Sequence, residues 1–289
     1  MISVIGAESD YVTPRVSPDG SRIAVTKADP DSGDYDMWIE EWSPMIFSRF
    51  TFQRGLNYYP VWTPDGKSIV YVSNAIGQPT LFLKDVAGSQ QPEQLIKPAQ
   101  GNEYTSDISP DGKSLLFTRS NDIDRSDIWI LPLDGRGIPF PYLKTPAGEF
   151  HAQFSPGRQG GKWIVYTSDE SGIEQIYVRR FTGGAAPDAR WQISLNGGSF
   201  PRWRGDGSEI IFLAPDGKLM SAPIHFLGNS IEAGTPVPLF DAGLPVTPFL
   251  RYPYDVSPDG KKILVLNAPR GRPPGNQALI LHWTGILKR

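Results

Sequence analysis

The 289-residue chain is long enough for a sizeable core, and its 39% hydrophobic and 11% aromatic content excludes a disordered polypeptide. A formal net charge of −3 gives no field for gripping nucleic acid or an anionic membrane, and no run of 18 apolar residues is present to span a bilayer. The lack of cysteine excludes disulfides, thiolate metal sites and a cysteine nucleophile, while 30 glycines and 28 prolines point to many turns and little helix.

The N-terminal stretch "MISVIGAESDY" has neither a basic region nor a long apolar one, so it does not read as a signal peptide. From Val16 onward one ten-residue pattern recurs: "VSPDGSRIAV", then "WTPDGKSIVY" from Trp62, "ISPDGKSLLF" from Ile108 and "VSPDGKKILV" from Val256. Asp19, Asp65 and Asp111 are spaced by 46 residues. Gly157 stands where the next aspartate would fall, Asp206 marks a fifth copy and Asp259 a sixth. In each turn proline presets φ, aspartate caps the backbone locally and glycine accepts positive φ.

A short apolar strand follows each turn, such as "RIAVTK", "SIVYVS" and "SLLFTR". After a polar loop comes a third strand with aromatic or large apolar residues, such as "DMWIEEW" or "DIWILPL", and then a less regular fourth. Four short strands per unit, with a period in the forties, predict an all-β, six-bladed β-propeller of four-stranded antiparallel blades. The expected blades are 11–53, 58–98, 104–145, 150–195, 200–240 and 252–289 within a single domain. Ile2–Ile5 is expected to complete the sixth blade as its outer strand and close the ring, with Ile286–Lys288 as the alternative.

"PVWTPDGKSIVYVSN" (Pro60–Asn74) and "ISPDGKSLLFTRSNDIDRSDIWILPLDG" (Ile108–Gly135) resemble the TolB-type propeller repeats of bacteria, relatives of WD-type repeats with Pro-Asp in place of the WD signature. The resemblance covers the whole chain, with the fourth and fifth copies departing at the turn. The closing stretch "YDVSPDGKKILVLNAP…ALILHWTGILKR" resembles the ends of bacterial chains in which a Ser/Thr kinase or winged-helix domain precedes such a propeller. The resemblance implies an extracytoplasmic, periplasmic setting, reached after a membrane span not in this chain. It also implies a protein partner; in TolB itself that partner is a peptidoglycan-associated lipoprotein whose segment enters the propeller.

The chain offers little chemistry. His151, His225 and His282 fall in different repeats with no metal-ligand spacing, and the GxSxG elbow and Walker spacing are both missing. The acidic loop Ala28–Asp36 lacks EF-hand spacing and, like Ser120–Asp127, reads as solvated loop acids. No catalytic residue, metal or cofactor is therefore assigned.

Binding residues are sought on the strand before each turn. Two residues before the turn's Ser or Thr the repeat places Arg15, Val61, Asp107, Gln153, Arg202 and Asp255, five of them polar. The next position is wholly apolar: Val16, Trp62, Ile108, Phe154, Trp203 and Val256. With a period of two, the apolar set packs between blades and the polar set approaches a central channel, binding a ligand or pairing internally. Two residues earlier Thr13, Tyr59, Thr105, His151, Phe200 and Pro253 mark the channel mouth, flanked by Tyr58, Tyr104, Phe150 and Tyr252.

The expected binding set is thus Arg15, Tyr59, Asp107, His151, Gln153, Phe200, Arg202 and Asp255. The function expected is a non-catalytic interaction or ligand-sensing module of a bacterial signalling or envelope protein, monomeric, with a protein or peptide partner ahead of a small ligand. The rival expectation is a propeller hydrolase or lyase with its active site in the channel.

Overall fold

A computed structural model describes residues 2–5, 11–29, 32–42, 45–88, 90–122, 125–135, 137–242, 244, 252–267 and 276–281. His282, Asp31 of the acidic loop and the alternative strand Ile286–Lys288 lie outside the described residues. The described residues form six antiparallel sheets, and the one helical element among them is a 3₁₀ turn at Gly157–Gln159.

Five sheets are each built from consecutive strands. After β1 (Ile2–Ile5) come β2 (Tyr11–Val16), β3 (Arg22–Ala28), β4 (Tyr35–Trp42) and β5 (Met45–Arg49). The second sheet holds β6 (Asn57–Trp62), β7 (Ser68–Ser73), β8 (Thr80–Asp85) and β9 (Glu93–Gln94). The third holds β10 (Asn102–Ile108), β11 (Ser114–Asp122), β12 (Arg125–Pro132) and β13 (Phe140–Leu143). The fourth holds β14 (Glu149–Phe154), β15 (Trp163–Ser168), β16 (Gln175–Arg180) and β17 (Arg190–Gln192). The fifth contains β18 (Ser199–Trp203), β19 (Glu209–Leu213), β20 (Lys218–Leu227), β21 (Ser230–Ala233) and β22 (Val237–Asp241). The sixth joins β23 (Tyr254–Val256), β24 (Lys262–Asn267) and β25 (Asn276–Leu281) to β1, which pairs with β25 from Ile2↔Ile280 to Ile5↔Gln277.

Contacts divide the chain into two compact units. One holds Met1–Thr105 and Arg251–His282, the other Ser106–Leu250. Within each unit, neighbouring sheets share an apolar seam. In the first, Tyr11, Val16, Ile23 and Val25 pack on Leu264 and Leu266, and Ala24, Met37, Ile39 and Phe50 pack on Trp62, Ile69, Tyr71 and Phe82. In the second, Phe154 meets Leu116, Ile128 and Ile130, and Trp203 meets Trp163, Val165 and Ile176. Val16, Trp62, Phe154 and Trp203, the apolar residues before their turns, thus pack between sheets of one unit.

The repeated turn is a closed hydrogen-bond circuit. At Ser109-Pro-Asp-Gly112 the glycine N–H donates to the Ser109 carbonyl (2.8 Å) and Gly112 takes φ 75°. Asp111 accepts from the Ser109 hydroxyl (2.6 Å) and the Lys113 amide (3.1 Å), while Ser109 Oγ accepts from the Ser114 amide (3.0 Å). The same bonds recur around Asp19, Asp65 and Asp259. The Ser17 hydroxyl, with the Ser21 amide, holds the Asp19 carboxyl down at about 2. At the fourth copy Ser155 keeps its backbone bond to Trp163 (2.8 Å) while the 3₁₀ turn replaces the aspartate. Asp111→Ala removes two local acceptor contacts and should cost about 1 kcal/mol in denaturant unfolding, with partner binding intact.

Candidate functional site

The first strand of each sheet lies at a sheet edge, so its outward N–H groups need acceptors from elsewhere. The polar set supplies several of them. Asp255 Oδ2 accepts the Val16 amide (2.8 Å), Asp107 Oδ2 the Phe154 amide (2.9 Å) and Gln153 Oε1 the Trp203 amide (2.7 Å). In each case the donor belongs to the apolar residue of the neighbouring sheet in the same unit. Trp62 Nε1 adds a comparable tie to the Arg15 carbonyl (3.0 Å).

Arg15 pairs with Asp255 at 3.8 Å and lies over the Tyr252 ring, 4.6 Å from its centroid. Arg202 is only 1% exposed and its Nη1 donates to the Pro201 carbonyl at 3.3 Å. Asp107 and Gln153 are half-buried, whereas Arg15, Asp255 and Val61 are buried. The side chains of Asp107, Gln153 and Asp255 each tie one sheet to the next through a backbone amide.

The mouth positions differ from a simple alternating strand. Pairing slips by one residue between Val12 and Arg15, Tyr58 and Val61, Phe150 and Gln153, and Ser199 and Arg202. Each slip is a bulge, and inside it sits a non-glycine residue with positive φ: Thr13 (51°), Tyr59 (57°), His151 (57°) and Phe200 (57°). The two-residue period used to place these side chains on the face of the polar set therefore breaks between them. Pro14, Pro60 and Pro201 follow three of the four residues, where a missing N–H costs no ladder bond. Those prolines inside otherwise regular strands were the available sequence signal.

Left-handed backbone at a β-branched or aromatic residue costs on the order of 1–3 kcal/mol and persists only where its surroundings impose it. Here the surroundings are rings. Tyr59 contacts Tyr58 at 4.9 Å and Tyr104 at 5.3 Å between centroids, and the Thr105 hydroxyl donates to its carbonyl. In the other unit His151 lies 4.9 Å from Phe150 and 4.2 Å from Phe200. Thr13, Tyr59, His151 and Phe200 are buried, but Tyr58, Tyr104 and Phe150 are half-buried and offer open ring surface. Burial pushes the Tyr58 hydroxyl up to about 12 and raises that of Tyr104, so both remain protonated donors at neutral pH. No group of three or more His, Asp or Glu side chains able to hold a metal occurs among the described residues.

Residues 3–123 match the family model described as the TolB beta propeller domain. The "Tol-Pal system protein TolB" of Helicobacter hepaticus is 24% identical over 177 residues, which cover 61% of this chain and 39% of that protein. The match thus spans about two fifths of the relative's length. Among solved structures, TolB from Acinetobacter baumannii aligns with a TM-score of 0.64 at 20% identity, covering 94% of this chain and 63% of that one. An oligogalacturonate lyase in complex with manganese aligns at 0.60 and 15% identity, covering 99% and 92%. The fold is an all-β propeller of small antiparallel sheets. At these identities the structural likenesses carry fold and not activity. No helix among the described residues is long and apolar enough to cross a membrane.

Proposed function

We propose that this chain is a non-catalytic recognition propeller of a bacterial envelope or signalling protein, its six sheets serving as the six blades of a ring. It acts outside the cytoplasm and binds a protein segment at the end where the blades' inner strands begin. The observation that carries this reading is the bulge repeated at one position of four blades, which holds Thr13, Tyr59, His151 and Phe200 at positive φ. Strain of that kind concentrates where a surface must be held ready for a ligand. In the first unit the buried residues form a platform, and the half-buried rings of Tyr58 and Tyr104 form the contact surface. Tyrosine suits this task because it joins a large apolar body to a polar tip. Similarity to proteins named for the Tol-Pal system supports an envelope setting and a protein partner. A parent chain with a kinase or winged-helix domain ahead of the propeller belongs to the same proposal.

The test is capture from a bacterial envelope extract by the wild-type chain, by a Tyr58→Ala/Tyr104→Ala double variant and by Asp111→Ala. A partner retained by wild type and Asp111→Ala but lost by the tyrosine variant is the expected result. Equal capture by all three would move the site away from these rings.

A further inference from the structure

Beside the tyrosine cluster, within the first unit, lies a cavity of about 120 Å³ lined by Val12, Thr13, Tyr35, Leu56, Tyr58 and Tyr59. Two lining residues sit at positive φ, Thr13 and Tyr59. Tyr35 and Leu56 are joined by an isolated parallel bridge, and the Asn57 side chain donates to the Tyr35 carbonyl at 3.3 Å. The wall is thus held by the bulges of two sheets and a bridge between the start of β4 and the residue before β6. It is a built cavity, and none of its lining side chains carries a charge.

We infer that this cavity receives a proline ring of an extended partner segment. The inference rests on the protein-recognition reading and names what that site reads. Size is the first argument: a cavity of roughly 150 Å³ houses benzene, so 120 Å³ suits a five-membered ring better than a phenyl or indole group. Chemistry is the second. Three tyrosine rings and two aliphatic side chains favour an uncharged, apolar group, and aromatic-lined sites hold proline in its pre-extended conformation at low entropic cost. Polarity is the third. The Tyr58 hydroxyl, in the lining, is a donor for the carbonyl that precedes a proline.

The probe is an acetylated, amidated octaproline peptide, titrated against the full chain by amide chemical shifts and calorimetry, with an octaglycine peptide of the same capping as control. Octaproline should shift the amides of Thr13, Tyr35 and Tyr59, and octaglycine should not. Leu56→Trp fills the cavity and should weaken octaproline binding at least about tenfold, and Tyr58→Phe, which removes only the hydroxyl, about fivefold. No octaproline shift at millimolar peptide, or undiminished affinity in both variants, would overturn the proposal. Envelope capture separates the two levels. A partner kept by Leu56→Trp but lost by Tyr58→Ala/Tyr104→Ala overturns the proline cavity and leaves the recognition reading standing. A partner kept by every variant overturns both.

Discussion

Asp255→Ala should lower the unfolding free energy by about 3 kcal/mol, the largest single effect among the strand positions before the turns. Its carboxylate accepts the Val16 amide from the adjoining sheet and stands 3.8 Å from the Arg15 guanidinium. Alanine leaves a buried N–H without its acceptor and takes a counter-charge from a buried arginine. Asp255→Asn keeps an acceptor oxygen and loses only the charge, so about 1 kcal/mol is expected. Urea unfolding of both variants separates the two contributions. Equal losses would mean that the charge, rather than the tie to Val16, holds the sheets together.

Glu40→Gln should remove one share of a pH dependence carried by the wild type. Glu40 pairs across β3–β4 with Ile23, so it shares the face of the seam formed by Tyr11, Ile23, Val25, Leu264 and Leu266. It is 1% exposed, and neither carboxyl oxygen has a hydrogen-bond partner among the described residues. Burial pushes its carboxyl up to about 7, against the opposing pull of Lys27. The folded state therefore holds this proton more tightly than the unfolded one. Its stabilising effect is complete below the ordinary glutamate range and disappears as pH rises to about 7, a loss of about 3 kcal/mol. Glu149, also buried and pushed up to about 7, slopes the same way. The informative quantity is thus the difference between wild type and Glu40→Gln at pH 5 and pH 8. The variant should gain about 3 kcal/mol relative to wild type between those values, and a constant difference would contradict the buried-acid assignment.

Much of the fold is legible in the sequence because the Pro-Asp-Gly turn and the strand after it repeat. The turn fixes which carboxylate meets which hydroxyl, and Val16, Trp62, Phe154 and Trp203 before it enter the seams. Ile2–Ile5 was recognisable as a spare strand because the last repeat has too few strands of its own, and it pairs with β25. The phase of the first strands was lost at the bulges, where one extra residue defeats a two-residue period. The acceptor role of Asp107, Gln153 and Asp255 was hidden as well, since it depends on an amide about 50 or more residues away across a seam. The fifth sheet departs further, because β20 runs on to Leu227 and turns through Gly228 and Asn229 into β21, an additional hairpin. A Gly-Asn pair between apolar runs was its available signal. The cavity was beyond reach, for nothing in the chain announces that Tyr35 and Leu56 meet.

On the proposal above, recognition takes place where the first strands begin, and not at the Pro-Asp-Gly turns at their other end. Amide hydrogen exchange of the chain, with and without the partner captured from envelope extract, tests this most directly. New protection is expected at Tyr58–Tyr59 and Tyr104–Thr105, with exchange at Gly66 and Gly260 unchanged and at Gly112 likewise. Protection confined to those turn glycines would contradict the proposal.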